Sequence, residues 1–153
     1  SCHGLPPVGH TAAELNTCVN CHQGDHLTVY GFQNIGTPQI GPGTKDGDDL
    51  GRFDVTGNPS DKYKFRVSPL RNIALTAPYM HDGRFNTLDA VVDHYSHGVQ
   101  AHPHLDANMK DKNGQPKKMN FTQEEKDAMV AFLRTLSDPV FTKDPKYSDP
   151  FAN

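Results

Sequence analysis

Apolar residues recur at helical spacing in a few short stretches of the chain, and residues typical of turns and loops separate them. The first predicted helix begins at Thr11, which has the spacing of a capping box with Glu14, and it continues to Val19. A short helical turn is predicted from Leu70 to Leu75. Since neither a repeat nor a second apolar core is evident, the pattern indicates one mostly helical domain with long loops.

Another helix is predicted in the second half of the chain, where Thr87 is the expected N-cap and Gly98 the expected end. Its apolar side is predicted to consist of Leu88, Val91, Val92 and Tyr95. The residues from Asp106 to Asn120 that follow are rich in Lys, and we expect a loop there.

The strongest predicted helix follows a capping box formed by Thr122 and Glu125, and it runs to Leu136. Pro139 stops this helix, and the tail to Asn153 is predicted to be extended. The core stripe of the helix is predicted to be Ala128, Met129, Phe132, Leu133 and Leu136. The predicted divisions of the chain are therefore an N-terminal segment at 1–14, a helical domain at 15–138 and a tail at 139–153.

The composition argues against several classes of protein. Of the 153 residues, 35% are hydrophobic, 13 are Gly and 12 are Pro, which indicates a small core that a bound apolar cofactor would help to complete. The formal charge of −3 argues against a nucleic-acid partner, because such proteins carry a clustered basic face. No apolar run approaches the roughly 20 residues of a membrane span. Three cysteines are too few for a disulfide scaffold.

Two of the three cysteines belong to the sequence Cys-Val-Asn-Cys-His at 18–22, which is the attachment pattern of a c-type haem. Positions i, i+3 and i+4 lie on one face of a helical turn, so Cys18 and Cys21 can form thioethers while the His22 imidazole reaches the iron. A redox-active cysteine pair and half of a zinc site are the alternatives. Haem is favoured because the adjoining histidine distinguishes its motif, and zinc would need two further ligands.

The opening residues, Ser-Cys-His-Gly at 1–4, have the form of the last positions of another haem motif. Cys2 and His3 are therefore candidates for a second haem site, and the alternative is a free or singly attached cysteine at the terminus. Because the chain starts at Ser1 without Met, we expect a processed product or a piece of a longer multihaem protein. Covalent haem attachment is an extracytoplasmic process, which predicts a periplasmic or otherwise extracytoplasmic location.

Five further stretches occur in order after the haem motif. They are Phe-Gln-Asn-Ile-Gly at 32–36, Asp-Leu-Gly-Arg-Phe-Asp-Val-Thr-Gly at 49–57, Leu-Arg-Asn-Ile-Ala-Leu-Thr-Ala-Pro-Tyr-Met-His-Asp-Gly at 70–83, Thr-Leu-Asp-Ala-Val-Val-Asp-His-Tyr at 87–95 and Val-Ala-Phe-Leu-Arg-Thr-Leu at 130–136. Together they closely resemble the C-terminal domain of the bacterial di-haem cytochrome c peroxidase and MauG family. The resemblance covers about residues 15–138 and implies a mostly α, cytochrome c-like haem domain. The family's peroxidatic N-terminal haem domain has no counterpart in this sequence.

The resemblance implies roles for single residues. Cys18 and Cys21 would be the thioether positions, and His22 the proximal iron ligand. The family's sixth ligand is a Met in peroxidases and a Tyr in MauG-like members, and the matching residue here is Tyr95. A phenolate is a hard anionic donor that favours ferric iron, whereas a Met and His pair raises the potential. The alternatives are that Tyr95 is only a core aromatic residue or that Met80 is the ligand.

Several other histidines lie close to these motifs. The resemblance implies that His81 lies near the haem and orders its pocket rather than binding iron. His94 and His97 neighbour Tyr95, but they point elsewhere around the helix and are predicted to lie at the surface. The sequence His-Pro-His at 102–104 has two metal-binding side chains, and a solvated loop is the favoured alternative.

The implied cofactor is one covalent haem c, with a second if the site at Cys2 is functional. In the family, backbone carbonyls at the positions of Thr76 and Pro78 also help to bind calcium between the two haem domains. Carbonyl oxygen suits Ca²⁺, and the remaining ligands would come from the other domain.

Three functions are compatible with these residues. The resemblance favours an oxidoreductase whose haem exchanges electrons with a second haem in peroxide reduction or peroxide-driven oxidation. Its implied partners are a small redox carrier protein as electron donor and the second haem domain. The second function is a stand-alone monohaem electron carrier that ignores peroxide. The third is a haem-based sensor in which a displaceable Tyr95 responds to a ligand such as CO or NO. No residue is assigned as a catalytic acid or base.

Overall fold

The computed structural model describes residues 17–37, 49–148 and 151. The α-helices whose two ends lie within these ranges are α1 (Phe53–Thr56), α2 (Leu88–Asp93) and α3 (Gln123–Thr135). Residues 17–19 are also helical, while Thr11 and Glu14 of the first predicted helix lie outside the described residues. No helix in the described ranges is both long enough and apolar enough to cross a bilayer.

The helices are accompanied by a small sheet that the sequence did not predict. Strand β1 (Phe32–Gln33) pairs antiparallel with β2 (Phe65–Arg66), and Phe32 lies opposite Arg66. Short 3₁₀ turns occupy much of the remaining backbone, at Pro59–Asp61, Ile73–Leu75, Ala107–Met109, Phe141–Lys143 and Pro145–Tyr147. The structure is therefore helix-rich with one two-stranded sheet.

Helix α2 begins as predicted, because the Thr87 hydroxyl accepts a hydrogen bond from the Ala90 amide at 3.2 Å. Its α-helical part ends at Asp93, five residues before Gly98, the predicted end. A π-helix, His94–Gly98, follows α2 directly, so that residues 88–98 form one helical rod. A π-turn holds one residue more than an α-turn, so the side chains after Asp93 leave the regular helical spacing.

Helix α3 begins with the predicted capping box, in which the Thr122 amide donates to the Glu125 carboxylate at 2.8 Å and the Glu125 amide donates to the Thr122 hydroxyl at 3.3 Å. The predicted core stripe is wrong in part. Val130 is buried, whereas Ala128 is exposed and Phe132 retains 46% of its exposure. Each of these two residues lies two positions from Val130, which is about 200° around the helix and away from the face that packs on α2.

The buried apolar residues form two clusters, although the sequence predicted a single core. The larger joins α2, α3 and the segment before α3, and it contains Tyr79, Leu88, Val92, Met119, Phe121 and Val130. The smaller contains Val99, Leu105 and Met109, with Tyr95 packed against it. The rod therefore contributes to both clusters: Leu88 and Val92 of α2 belong to the larger one, and Tyr95 packs against the smaller one.

The segment after α3 is bound to the loop that precedes the Ile73–Leu75 turn. The Asn72 amide donates to the Leu136 carbonyl at 2.9 Å, and the Asn72 side-chain oxygen accepts from the Asp138 amide at 2.6 Å. The tail was predicted to be extended, but it forms two 3₁₀ turns. The Asp138 carboxylate accepts from the Val140 and Phe141 amides at the start of the first turn, and Asp144 is the N-cap of the second.

Gly36 lies where two loops meet. Its backbone has φ +66°, and an added Cβ would lie 2.7 Å from the Gln100 carbonyl oxygen and 2.8 Å from a methyl of Val99. Its amide donates to the Asn34 side chain at 2.9 Å, and its carbonyl accepts from the Gln100 amide at 2.9 Å. The glycine of the Phe-Gln-Asn-Ile-Gly stretch is thus explained by a close backbone approach.

We expect Gly36→Ala to lower the free energy of unfolding by about 3 kcal/mol, because a left-handed residue with a Cβ is strained and this Cβ meets backbone. Gly57→Ala is the matched control. Its φ is +65°, but a Cβ there meets nothing within 4 Å, so the expected loss is about 1 kcal/mol. Denaturant unfolding of the haem-loaded proteins measures both losses, and equal losses would contradict the packing argument.

Candidate haem-binding site

The Cys-Val-Asn-Cys-His motif is folded into a helical turn. The amides of Cys21 and His22 both donate to the Cys18 carbonyl, at 3.2 and 2.8 Å. Both cysteines are half-buried and free. This local backbone gathers the two thiols and the imidazole on one side of the chain, as attachment of one haem requires.

His22 is held in the tautomer that an iron ligand needs. Its Nδ1 lies 3.0 Å from the Leu27 carbonyl oxygen, an arrangement in which the ring donates from Nδ1 and presents the unprotonated Nε2 outward. Burial lowers the pKa of His22, against the opposing effect of this hydrogen bond, so the ring is neutral at neutral pH. The imidazole therefore fits an axial iron ligand.

The two thiols differ from those of a redox-active cysteine pair. Burial raises the pKa of Cys18, and burial together with the charges of Asp106 and Cys18 raises the pKa of Cys21. Reactive and zinc-binding cysteines instead need a stabilised thiolate. Within the described ranges no group of three or more His, Cys, Asp or Glu residues could hold a metal ion. Neutral sulfurs beside a histidine fit thioether attachment better than either alternative.

Tyr95 is half-buried and packs against the smaller apolar cluster. Burial raises the pKa of its hydroxyl, and the charges of Cys18 and Cys21 raise it further. Among the described residues this hydroxyl has no hydrogen-bond partner. A buried polar group without a partner is costly, by about 1–3 kcal/mol. An iron bound at this place would supply the missing interaction, so Tyr95 fits the predicted sixth ligand.

Met80 and His81 lie on a turn that precedes Gly83. Met80 is half-buried with φ +71°, and its carbonyl accepts from the Gly83 amide at 3.4 Å. The His81 ring stacks on Phe65 with the ring centres 3.6 Å apart and the planes within 12°. Burial lowers the pKa of His81, against the opposing charges of Asp82 and Asp49. The imidazole is thus held by packing against strand β2.

The prediction that both His94 and His97 lie at the surface is wrong for His94. His97 is exposed, but His94 is only 4% exposed. Its Nε2 lies 3.1 Å from the Ile35 carbonyl oxygen and joins the rod to the loop after β1. The loop after β1 covers this side of the rod, a contact between distant segments that helical spacing alone does not predict.

Thr76 and Pro78, the candidate calcium ligands, lie close together on an exposed loop. The Thr76 hydroxyl donates to the Ile73 carbonyl at 3.1 Å. In the described part of the chain, no hydrogen bond reaches the carbonyl oxygens of these two residues. Both oxygens therefore have lone pairs available for a cation or for water.

The histidines of the His-Pro-His sequence lie near each other, with ring centres 5.6 Å apart. His102 Nδ1 is engaged by the His104 amide at 3.0 Å and by the Asn34 side chain at 3.1 Å. One ligand nitrogen of the pair is thus used in holding the loop. The other sequence-predicted candidates, Cys2 and His3, lie outside the described residues.

Two long-range contacts at the haem motif were missed by the sequence reasoning. The Lys117 ammonium donates to the Thr17 hydroxyl at 2.5 Å, and the Asn20 amide donates to the Asn108 side chain at 2.9 Å. The loop at 107–117 therefore brackets the motif on two sides. These pairs are 100 and 88 residues apart, and no local pattern in the sequence could have indicated them.

Comparison with solved structures identifies the class of fold. A MauG-like protein associated with microbial copper homeostasis superposes with a TM-score of 0.68 and 35% identity, covering 94% of this chain and 52% of that protein. The di-haem peroxidase BthA of Burkholderia thailandensis superposes with a TM-score of 0.61 at 21% identity, covering 86% of this chain and 44% of the BthA chain. It shows the same fold. The chain thus has the fold of MauG-like and di-haem peroxidase structures.

Curated sequences agree with that class. The methylamine utilization protein MauG of Methylorubrum extorquens is 36% identical over 121 residues, covering 78% of this chain and 30% of its own. A cytochrome c551 peroxidase of Nitrosomonas europaea is 33% identical over 129 residues, covering 84% of this chain and 33% of its own. The chain is therefore homologous to the MauG and cytochrome c peroxidase proteins, and the predicted resemblance is confirmed.

The chain spans about a third of the length of these curated relatives. No protein-family profile matches the sequence.

Proposed function

We propose that the chain is the haem-carrying electron-transfer domain of a di-haem, peroxidase-type oxidoreductase, matching the C-terminal domain of its relatives. The observation that carries the proposal is the geometry at His22, whose Nδ1 is occupied by the Leu27 carbonyl while the two half-buried thiols stand beside it. Homology to MauG and cytochrome c peroxidases gives the reaction class. The haem domain would span 15–138, between an N-terminal segment at 1–14 and a tail at 139–153.

The residues of this chain would bind and tune one haem c. Cys18 and Cys21 would hold it covalently, and the Leu27 carbonyl would orient His22 and increase the electron density on its ring. Bound in this way, the haem would supply an iron that accepts and donates single electrons. The apolar residues Val99, Leu105 and Met109 around Tyr95 would exclude water from that side of the group.

Tyr95 is proposed as the sixth ligand because it stands at the matching position of the family and its hydroxyl has no hydrogen-bond partner among the described residues. The charges of Cys18 and Cys21 also act on the pKa of this hydroxyl, raising it further. An anionic oxygen ligand stabilises ferric iron and gives a low reduction potential. Met80, on the Met80–Gly83 turn, stays the alternative ligand. His81 would order the pocket through its stack on Phe65.

The working protein would contain a second haem domain, since the relatives are about three times as long as this chain. The exposed carbonyls of Thr76 and Pro78 would complete a calcium site with ligands from that domain. A small redox carrier protein would supply electrons, and the location would be periplasmic or otherwise extracytoplasmic. Neither nucleic acid nor a membrane is part of the proposal.

Intact mass under denaturing conditions tests the cofactor. Since denaturation removes non-covalent ligands, we expect the natively purified chain to carry one haem-sized covalent increment. Two increments would assign a second site to Cys2 and His3, and the absence of any increment would contradict the proposal. Spectra recorded with peroxide in the presence of the relatives' other haem domain then test the reaction class. A haem that stays unchanged there would favour the stand-alone electron carrier.

A further inference from the structure

A hydrogen-bonded tyrosine and histidine lie on the surface loop that follows His22. The phenol oxygen of Tyr30 is hydrogen-bonded to Nδ1 of His26, and the two rings meet edge to face with centres 6.0 Å apart. Tyr30 is 49% exposed, and His26 is exposed as well. A phenol facing the unprotonated nitrogen of a neutral imidazole can pass its proton to that nitrogen without a change of position.

A short bonded path joins this pair to the haem ligand. The His22 ring contacts the Leu27 carbonyl oxygen at 3.0 Å, and Leu27 shares a peptide bond with Thr28. The Thr28 hydroxyl in turn accepts from the Tyr30 amide at 3.0 Å and donates to the Val67 carbonyl at 2.7 Å. The path therefore consists of two hydrogen bonds and a few covalent bonds, and buried Thr28 fixes its centre.

The loop geometry is specified by its surroundings. Leu27 and Tyr30 are not glycines, yet both have positive φ, at 53° and 54°. Such a conformation costs about 1–2 kcal/mol per residue and persists only where other contacts hold it. Here the contacts that hold it are the same ones that form the path, the bonds of Leu27 to His22 and of Thr28 to Tyr30 and Val67.

The charge next to Tyr30 determines how it can be oxidised. The guanidinium carbon of Arg66 lies 5.6 Å from the centre of the phenol ring. A positive charge over the ring opposes a cationic radical. Loss of an electron must therefore be accompanied by loss of the hydroxyl proton, and His26 is in place to take it.

We propose that Tyr30 is a redox-active residue that connects the haem held by Cys18, Cys21 and His22 to reductants at the protein surface. In one step, Tyr30 gives an electron to a haem that peroxide has oxidised, and its hydroxyl proton moves to Nδ1 of His26. This leaves a neutral tyrosyl radical, a protonated imidazole and a haem reduced by one electron. A one-electron donor at the surface then reduces Tyr30, and His26 returns the proton. The inference rests on the proposed function for its oxidant.

The test uses the haem-loaded chain and two oxidants. Peroxide is added to the chain mixed with the relatives' other haem domain, and the sample is frozen for electron paramagnetic resonance. Separately, a flash-generated ruthenium(III) tris-bipyridine complex oxidises the chain from solution. We expect a tyrosyl signal with both oxidants, and its loss in Tyr30→Phe. Tyr147→Phe is the matched control, because Tyr147 is also exposed, at 58%, and its ring contacts are Phe141 and Lys146. Its signal should equal that of the unaltered chain.

His26→Gln separates the proton acceptor from the radical site. Loss of a positioned base costs about 10² in rate, so the flash-driven oxidation of Tyr30 should slow by about that factor. Added imidazole should restore part of the rate, and a solvent deuterium effect should be present only while His26 is intact. A His26→Gln variant that is oxidised at the original rate would contradict the role of His26.

The two oxidants distinguish failure of this inference from failure of the proposed function. If peroxide changes the haem spectrum but Tyr30→Phe keeps the full radical signal, the assignment of Tyr30 is wrong. If peroxide leaves the haem unchanged while the flash oxidant still produces the signal at Tyr30, the proposed function is wrong and the proton-coupled pair is supported. Haem spectra of Tyr30→Phe and His26→Gln that match the unaltered chain before any oxidant is added confirm that the fold is intact.

Discussion

Replacing both Cys18 and Cys21 by Ala should abolish covalent haem, so that the intact mass of the denatured chain falls to that of the polypeptide. The thioethers are the covalent links that survive denaturation, and the proposal places both of them in this one turn. A bound apolar group stabilises the native state only while it is bound. We therefore expect the melting temperature to fall by about 10 °C, or about 3 kcal/mol at roughly 3 °C per kcal/mol.

Cys2→Ala is the control for the cysteine pair. It removes the remaining thiol of the sequence, so with one haem attached at 18–22 it should leave both the mass increment and the melting temperature unchanged. A covalent increment that persists in the Cys18→Ala, Cys21→Ala chain and disappears when Cys2 is also replaced would move the attachment site to the N-terminus.

Tyr95→Phe should change the spin state of the ferric haem, because the ring stays in place while the oxygen ligand is lost. Absorption and electron paramagnetic resonance spectra detect the change. The reduction potential should rise by about 0.1 V or more, since an anionic donor to ferric iron is removed and axial ligands set haem potentials over a span of about 0.8 V.

Tyr79→Phe controls for the loss of a buried phenol hydroxyl. Tyr79 is 8% exposed, and its hydroxyl donates to the Ile73 carbonyl at 2.9 Å, within the larger cluster. We expect lower stability in that variant without a change in the haem spectrum. If Tyr95→Phe leaves the spectrum unaltered and Met80→Leu alters it, Met80 is the sixth ligand and the MauG-like assignment fails.

Local chemistry explains which elements were predictable from the sequence. Thr87 and Thr122 were assigned as helix caps because a hydroxyl that accepts from a nearby amide needs only a few consecutive residues. The haem turn was predictable for the same reason, since its three side chains lie within five positions. The roles of Tyr95 and Met80 came from the family resemblance rather than from helical spacing.

The errors arose where distant contacts override the local pattern. Phe132 has the spacing of a core residue, yet the packing of α3 on α2 buries Val130 instead. The strands β1 and β2 are two residues each, and their pairing joins segments more than thirty residues apart. The contact of Tyr30 with His26 was overlooked although it is local, because a four-residue spacing in a loop has no regular geometry to predict it.

The π-helix at His94–Gly98 determines which changes of chain length this domain tolerates. Its extra residue acts as a permanent insertion between Tyr95, the proposed sixth ligand, and Val99, which belongs to the smaller cluster. Deleting one residue there would restore α-helical winding and rotate everything that follows by about 100°. Substitutions in this segment keep the register, whereas a single deletion changes it. Relatives that lack the π-turn should therefore align with a one-residue gap directly after the tyrosine.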